Sequence, residues 1–284
     1  MSKKWTIIAD SAGDLFSHEL TSDKINFYTV PLEITLDAGN IVDEEDLDIA
    51  DFVDKVVKTK AVAKSTCPPP EKFAAEMRKG DNIIVVTISS SLSGTYDSAV
   101  IAAKMVKEES PNKKIYVLDS LAAAGGEVRI LLELARVMNT TNMSFDEIVA
   151  HMIPYRDRTR TIFFLRNISN FVRNGRIPKL SGMIAKIARL KLVCRENGKG
   201  EIEKHGVAFT AKKAFEMMAA APRAKVAEEG TNLPVVITHC FNEPEATQLK
   251  DMLVRNFNLD NVRIVQARGL SCFYANKFGI MMGY

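Results

Sequence analysis

The chain has 284 residues, 46% of them hydrophobic and 26% charged, a balance that builds ordinary cores and excludes a disordered segment. That length exceeds the ~100–150 residues of a typical domain, so two domains sharing a cleft is the expected arrangement. With 38 basic and 35 acidic residues the formal charge is +3, too even a mixture for a dedicated binder of phosphate backbones, and no nucleic-acid partner is expected.

Cys67, Cys194, Cys240 and Cys272 are widely spaced without a Cys-x-x-Cys pair, which fits reduced thiols better than disulfides or zinc. The apolar stretch after Trp5 breaks at Asp10, too soon for a signal-peptide core, and no run approaches the ~18 apolar residues of a membrane span. A cytoplasmic location is the expectation.

The first half repeats one pattern: a β-branched run, a small polar cluster, then a helical stretch. Trp5 to Ala9 runs into Asp10-Ser11-Ala12-Gly13-Asp14. Pro68-Pro69-Pro70 opens a helix over Glu71 to Arg78, since proline suits a first turn whose amide needs no partner. Ile83 to Ile88 leads into Ser89-Ser90-Ser91-Leu92-Ser93-Gly94-Thr95, followed by an amphipathic helix with Tyr96, Ala99, Val100, Ala103 and Val106 on one face. Ile115 to Leu118 leads into Asp119-Ser120 and then Ala122-Ala123-Ala124-Gly125-Gly126. Apolar strands alternating with helices predict a parallel sheet covered on both faces. Ser144 with Glu147 three residues later is a capping box.

Beyond about residue 155 the pattern changes. Arg156 to Arg160 holds three arginines and one aspartate, read as a solvated surface. Leu190 to Arg195 and Gly200 to Phe209 flank Glu196-Asn197-Gly198-Lys199, a hairpin signal. Thr210 caps a helix over Ala211 to Ala221, Val235 to Thr238 reads as a strand, Glu243 to Phe257 as a helix and Val262 to Ala267 as a strand. The prediction is an α/β domain over residues 1–155 and a smaller α+β domain over 156–284 with a partly antiparallel sheet.

In open α/β sheets ligands bind beyond the carboxyl ends of the strands. The loop after Ile88 has five hydroxyl residues in seven positions, and Ser65-Thr66 adds a pair ahead of another helix. One helix cap needs one hydroxyl; the surplus suits a small anion at a helix N-terminus. Asp10, Asp14 and Asp119 end strands, where capping of loops is favoured over metal or substrate contact. Motifs for nucleotide phosphates, dinucleotides and a nucleophile elbow are absent. Of His18, His151, His205 and His239, the last is best placed to act as a base, with a structural role preferred. The rival reading is an enzyme with Ser93 as nucleophile acting on a small carboxylate or phosphate, which needs a base beside that serine. The 12 methionines, Met217-Met218 and Met281-Met282 among them, could fill cores or line an adaptable cavity.

Taken together, Ala9-Asp10-Ser11-Ala12-Gly13-Asp14-Leu15, Ser65-Thr66-Cys67-Pro68, Leu92-Ser93-Gly94-Thr95-Tyr96-Asp97-Ser98-Ala99, Leu118-Asp119-Ser120 and Asn174-Gly175-Arg176-Ile177 resemble the DegV family of bacterial fatty-acid-binding proteins. The resemblance covers nearly the whole chain. It implies a Rossmann-like domain packed on a smaller domain, a fatty acid in the tunnel between them, and no catalysis, metal or other cofactor. The carboxylate would be held by Ser65 or Thr66 and by Ser93 with the Gly94 amide. Some members present the acid to a separate kinase that makes an acyl phosphate for phospholipid synthesis, which leaves room for transient membrane contact. Arg176, expected to be exposed near the tunnel mouth, is assigned to docking that partner. Where the family often has His-x-Gly-Pro-Gly, this chain has Cys272-Phe273-Tyr274-Ala275-Asn276, so Cys272 is expected in place of the histidine. Phe209 stands where an arginine is common and Cys67 where a glutamine is.

Overall fold

The computed structural model describes residues 4–59, 62–177 and 191–284. In chain order the strands among them are β1 (Trp5–Asp10), β2 (Ile25–Val30), β3 (Glu33–Leu36), β4 (Gly39–Val42), β5 (Lys64–Thr66), β6 (Asn82–Thr87), β7 (Lys114–Asp119), β8 (Thr161–Leu165), β9 (Lys191–Glu196), β10 (Ile202–Ala208), β11 (Val235–His239), β12 (Val262–Gln266) and β13 (Ile280–Gly283). Leu190, expected to begin the hairpin, lies outside the described residues.

The first sheet has the order β2-β1-β6-β7 and is wholly parallel. Every residue of β1 is buried, as a strand covered on both faces requires. One face packs on helices Gly125–Thr140 and Phe145–Arg158 through Ile7, Ile84, Leu131 and Ile148. The other packs on helices Pro70–Met77 and Thr95–Glu109 through Ile8, Val85, Phe73 and Ala102. The Ser144 capping box forms as expected. From β1 the chain steps outward to β2 and then returns across the sheet to β6, so the switch point lies between β1 and β6. Their outgoing loops diverge there and leave a crevice.

A small antiparallel sheet, β4-β3-β5, was not legible in the sequence. Its turn is Asp37-Ala38 with Gly39 at φ 110°, outside the usual Asn-Gly and Asp-Gly signals.

The second sheet is mixed, in the order β10-β9-β8-β13-β11-β12, with only β11 and β12 parallel. The hairpin joins β9 to β10 with a register shift around His205. Thr210 accepts the Lys213 amide at 3.2 Å and caps helix Ala211–Ala220. That helix and helix Glu243–Phe257 cover one face, where Phe164 meets Phe215 edge-on at 5.7 Å. Truncating a ring buried like Phe164 to alanine costs about 3–5 kcal/mol. The other face looks toward the first sheet, and helix Gly269–Ala275 lies over it. The first sheet ends at residue 119 and the second begins at 161, and helix Phe145–Arg158 runs through the expected boundary at 155.

Gly125 starts the helix that joins the two halves, and a methyl there would lie 2.7 Å from the Val236 carbonyl and 2.8 Å from the Gly283 amide. The small-residue run 122–126 therefore lets the backbones of the two halves touch.

Candidate functional site

Two adjoining, partly open cavities lie in the crevice. They share Leu92, Ala123, Ala124, Phe171 and Met281 as wall residues. The first is floored by Ala12 after β1 and Ile88 after β6, the two loops of the switch point, and its polar side chains are Ser65, Ser93, Ser271, Tyr274 and Arg176. The second is walled by Leu121, Phe163, Leu165 and Ile202 among others, with Thr161 and Glu196 also in its wall. The first, called the polar chamber for its five polar side chains although most of its wall is hydrocarbon, adjoins a second, apolar chamber.

The hydroxyl-rich loop divides its work. Ser89 donates to the Gly200 carbonyl at 3.0 Å and Ser91 to the Lys199 carbonyl at 3.0 Å, tying the loop to the hairpin turn of the second half. Gly200 has φ 77°, and a side chain there would collide with the Ser89 hydroxyl, so this close approach needs glycine. The Ser90 amide donates to Asp119 Oδ1 at 3.1 Å. Thr95 is fully buried as the first residue of its helix. Ser93 is the hydroxyl of this loop that reaches the cavity. Its Oγ lies 2.8 Å from Thr95 Oγ1, a hydroxyl and not an imidazole. Gly94 is the N-cap residue of helix Thr95–Glu109, where backbone amides and the helix dipole favour negative charge.

Strand alternation in β5 turns Ser65 to the cavity and leaves Thr66 exposed. Arg176, expected to be exposed, is half-buried and lines the polar chamber. Cys272 is not brought there. It is fully buried in the apolar core, its thiol directed to the Ala267 carbonyl at 3.4 Å, and burial pushes it well above the usual thiol range. Its helix neighbours Ser271 and Tyr274, which sequence reasoning passed over, line the chamber instead. Their i, i+3 spacing puts them on one helix face. Of the paired methionines only Met281 lines the cavity, whereas Met218 and Met282 are core and Met217 packs against Gly206.

The aspartates read as strand ends hold loops. Asp10 accepts the Ile88 amide at 2.7 Å and the Ala12 amide at 2.9 Å, and burial pushes its carboxyl up to about 7. Asp14, expected to end a strand, instead follows a 3-10 turn (Ser11–Gly13); it accepts the Arg268 amide at 2.8 Å and is pushed by burial up to about 8. His239 accepts the Asn242 amide through Nδ1 at 3.1 Å, a structural role. Among the described residues no group of side chains is arranged to hold a metal ion, and no helix is long and apolar enough to cross a membrane.

This architecture is shared. The "DegV domain-containing protein" of Streptococcus gordonii is 32% identical over 284 residues, covering 99% of this chain and 98% of that one. The Streptococcus pneumoniae fatty acid kinase (Fak) B3 protein loaded with linoleic acid superposes with a TM-score of 0.91 at 30% identity, covering 99% of each chain. A DegV family protein from Ruminococcus gnavus with vaccenic acid gives 0.93 at 28% identity over the whole of both chains. One from Eubacterium eligens loaded with heptadecanoic acid gives 0.87 at 27% identity over 98% of each. The DegV family model, described as "uncharacterised protein, DegV family", matches residues 4–277. With the fold, the switch-point cavity and these likenesses together, the chain belongs to the DegV family.

Proposed function

We propose that this protein binds one long-chain fatty acid, carboxylate in the polar chamber and tail in the apolar one, and presents the acid to a separate kinase that forms the acyl phosphate. The observation that carries this reading is the two-part cavity, in which Ser65, Ser93 and Arg176 line one chamber and mainly hydrocarbon side chains wall the other. A carboxylate leaving water must recover its hydrogen bonds. Ser93, Ser65 and the Gly94 amide supply donors, and Arg176 supplies the opposite charge. Burying roughly 15 methylenes at about 0.8 kcal/mol each contributes on the order of 12 kcal/mol before ordering terms, against about 1.5–3 kcal/mol for a hydrogen bond to a charged group. The tail supplies affinity and the head group fixes orientation.

Support comes from the relatives that hold linoleic, vaccenic and heptadecanoic acids, and for the kinase step from the pneumococcal protein's name as part of a fatty acid kinase. In this reading the protein acts in the cytoplasm and performs no chemistry itself. The Ser93 neighbour is Thr95 Oγ1, which gives no support to a serine nucleophile. Native mass spectrometry of purified protein tests the binding: one bound fatty acid is expected, and well-folded protein without lipid would overturn it. Ser93→Ala should weaken binding by about 1–3 kcal/mol, roughly 5- to 150-fold, with the fold unchanged. Addition of a fatty acid kinase and ATP to the loaded protein tests presentation; absence of acyl phosphate would remove that half of the proposal.

A further inference from the structure

Tyr274 sits on helix Gly269–Ala275 and Ser65 on β5, 209 residues apart in sequence, yet their hydroxyl oxygens are 2.8 Å apart across the polar chamber, which both residues line. Either oxygen can donate. Two hydroxyls bring two protons to such a pair, and the bond between them uses one. The other stays available to an acceptor in the chamber. The tyrosine ring is held in place: it packs on Phe171 at 4.8 Å and on Phe273 at 4.8 Å. Phe273 is itself fully buried, and its carbonyl accepts from the Asn170 side chain at 2.6 Å. A donor on a rigid, pre-placed ring loses little freedom when it binds.

Resting on the fatty-acid reading above, we infer that Tyr274 is a head-group ligand acting in tandem with Ser65: the paired hydroxyls present one shared donor to the carboxylate and orient it toward Ser93. No covalent step is involved. The phenol also adds bulk at the head end of the chamber, so the same residue sets how far the carboxylate advances.

Tyr274→Phe keeps the ring packing and removes only the hydroxyl. Binding of oleate and of methyl oleate is measured for the wild type, Tyr274→Phe, Ser65→Ala and the double variant, with thermal unfolding as the check on folding. Oleate affinity should fall roughly tenfold or more in Tyr274→Phe, while the uncharged ester changes by less than about threefold. The double variant should be much less than additive, as expected for groups acting as a unit. A tyrosine difference spectrum on oleate addition should be present in the wild type and diminished in Tyr274→Phe. Unchanged oleate affinity, or an equal loss for acid and ester, would overturn the inference and leave the pair as a tie between the two halves. Failure of the wild type to bind oleate would sink the fatty-acid reading and this inference together; wild-type binding with an indifferent Tyr274→Phe would sink this inference alone.

Discussion

Ala123 faces both cavities, and its backbone is not in the left-handed region, so a larger side chain there should block the passage between them without straining the chain. Ala123→Phe is the perturbation. In the proposed binding mode the tail of a 16-carbon acid spans both chambers, so roughly half of it, about 7 methylenes, would lie beyond the block. At about 0.8 kcal/mol per methylene the loss is about 5.6 kcal/mol, roughly 10⁴-fold in Kd. Titration calorimetry or displacement of a fluorescent acid compares palmitate with octanoate, whose tail ends before the block. Palmitate should collapse to nearly the affinity of octanoate, and octanoate should change little. If Ala123→Phe holds palmitate within threefold of the wild type, the tail does not run through this passage. If octanoate falls as far as palmitate, the new ring has disturbed the head end.

Arg176→Ala should weaken oleate binding by tenfold or more, because a half-buried guanidinium lining the chamber stands to pair with the carboxylate; unchanged lipid content with lost phosphoryl transfer would return the residue to partner docking. Glu127 is fully buried, neither of its carboxyl oxygens has a partner, and burial raises its carboxyl well above the ordinary value. The folded protein therefore keeps a proton that the unfolded chain releases from about pH 4.5 upward, so this group removes stability as pH rises, by at most about 1.4 kcal/mol per pH unit. Glu127→Gln should be nearly neutral at pH 4.5 and increasingly stabilising toward pH 8 in denaturant titrations; a constant difference across that range would mean that the carboxyl is ionised in the fold.

The parallel sheet, the helix after Gly94, the Ser144 box, the hairpin and the Thr210 cap were readable because each has a local cause: a β-branched run, an amphipathic period, a cap or an Asn-Gly turn. The β4-β3-β5 sheet was not, because β3 and β4 have four residues each and β5 has three, and they pair through an unremarkable turn. The site divided along the same line. That some hydroxyl of the Ser89 to Thr95 loop faces a cavity could be read from their surplus. Which one does depends on contacts 29 to 111 residues away in sequence, beyond any local rule: the hairpin turn claims Ser89 and Ser91, and Asp119 claims Ser90. Cys272 was misjudged because matching a family position says nothing about helix phase. The helix turns Ser271 and Tyr274 to the chamber and Cys272 into the core.

The helix that carries Ser271 and Tyr274 is fixed by the way the two halves are joined. Arg268 is 1% exposed, and its guanidinium donates to the Leu15 carbonyl at 3.0 Å and the Asp43 carbonyl at 2.9 Å, both in the first half. The Asp43 carboxylate in turn accepts the Gly269 amide at 2.9 Å and the Leu270 amide at 2.8 Å, fixing the start of the helix that carries Ser271 and Tyr274. Breaking a buried, hydrogen-bonded charge of this kind is strongly destabilising, about 3–5 kcal/mol. That exceeds what one hydroxyl contributes to a carboxylate, so the head group of the proposed ligand would not by itself offset the opening of this joint. The Tyr274 hydroxyl is consequently held at a set position by the fold, and in the proposed binding mode an acid whose tail fills the second chamber would meet this donor already in place.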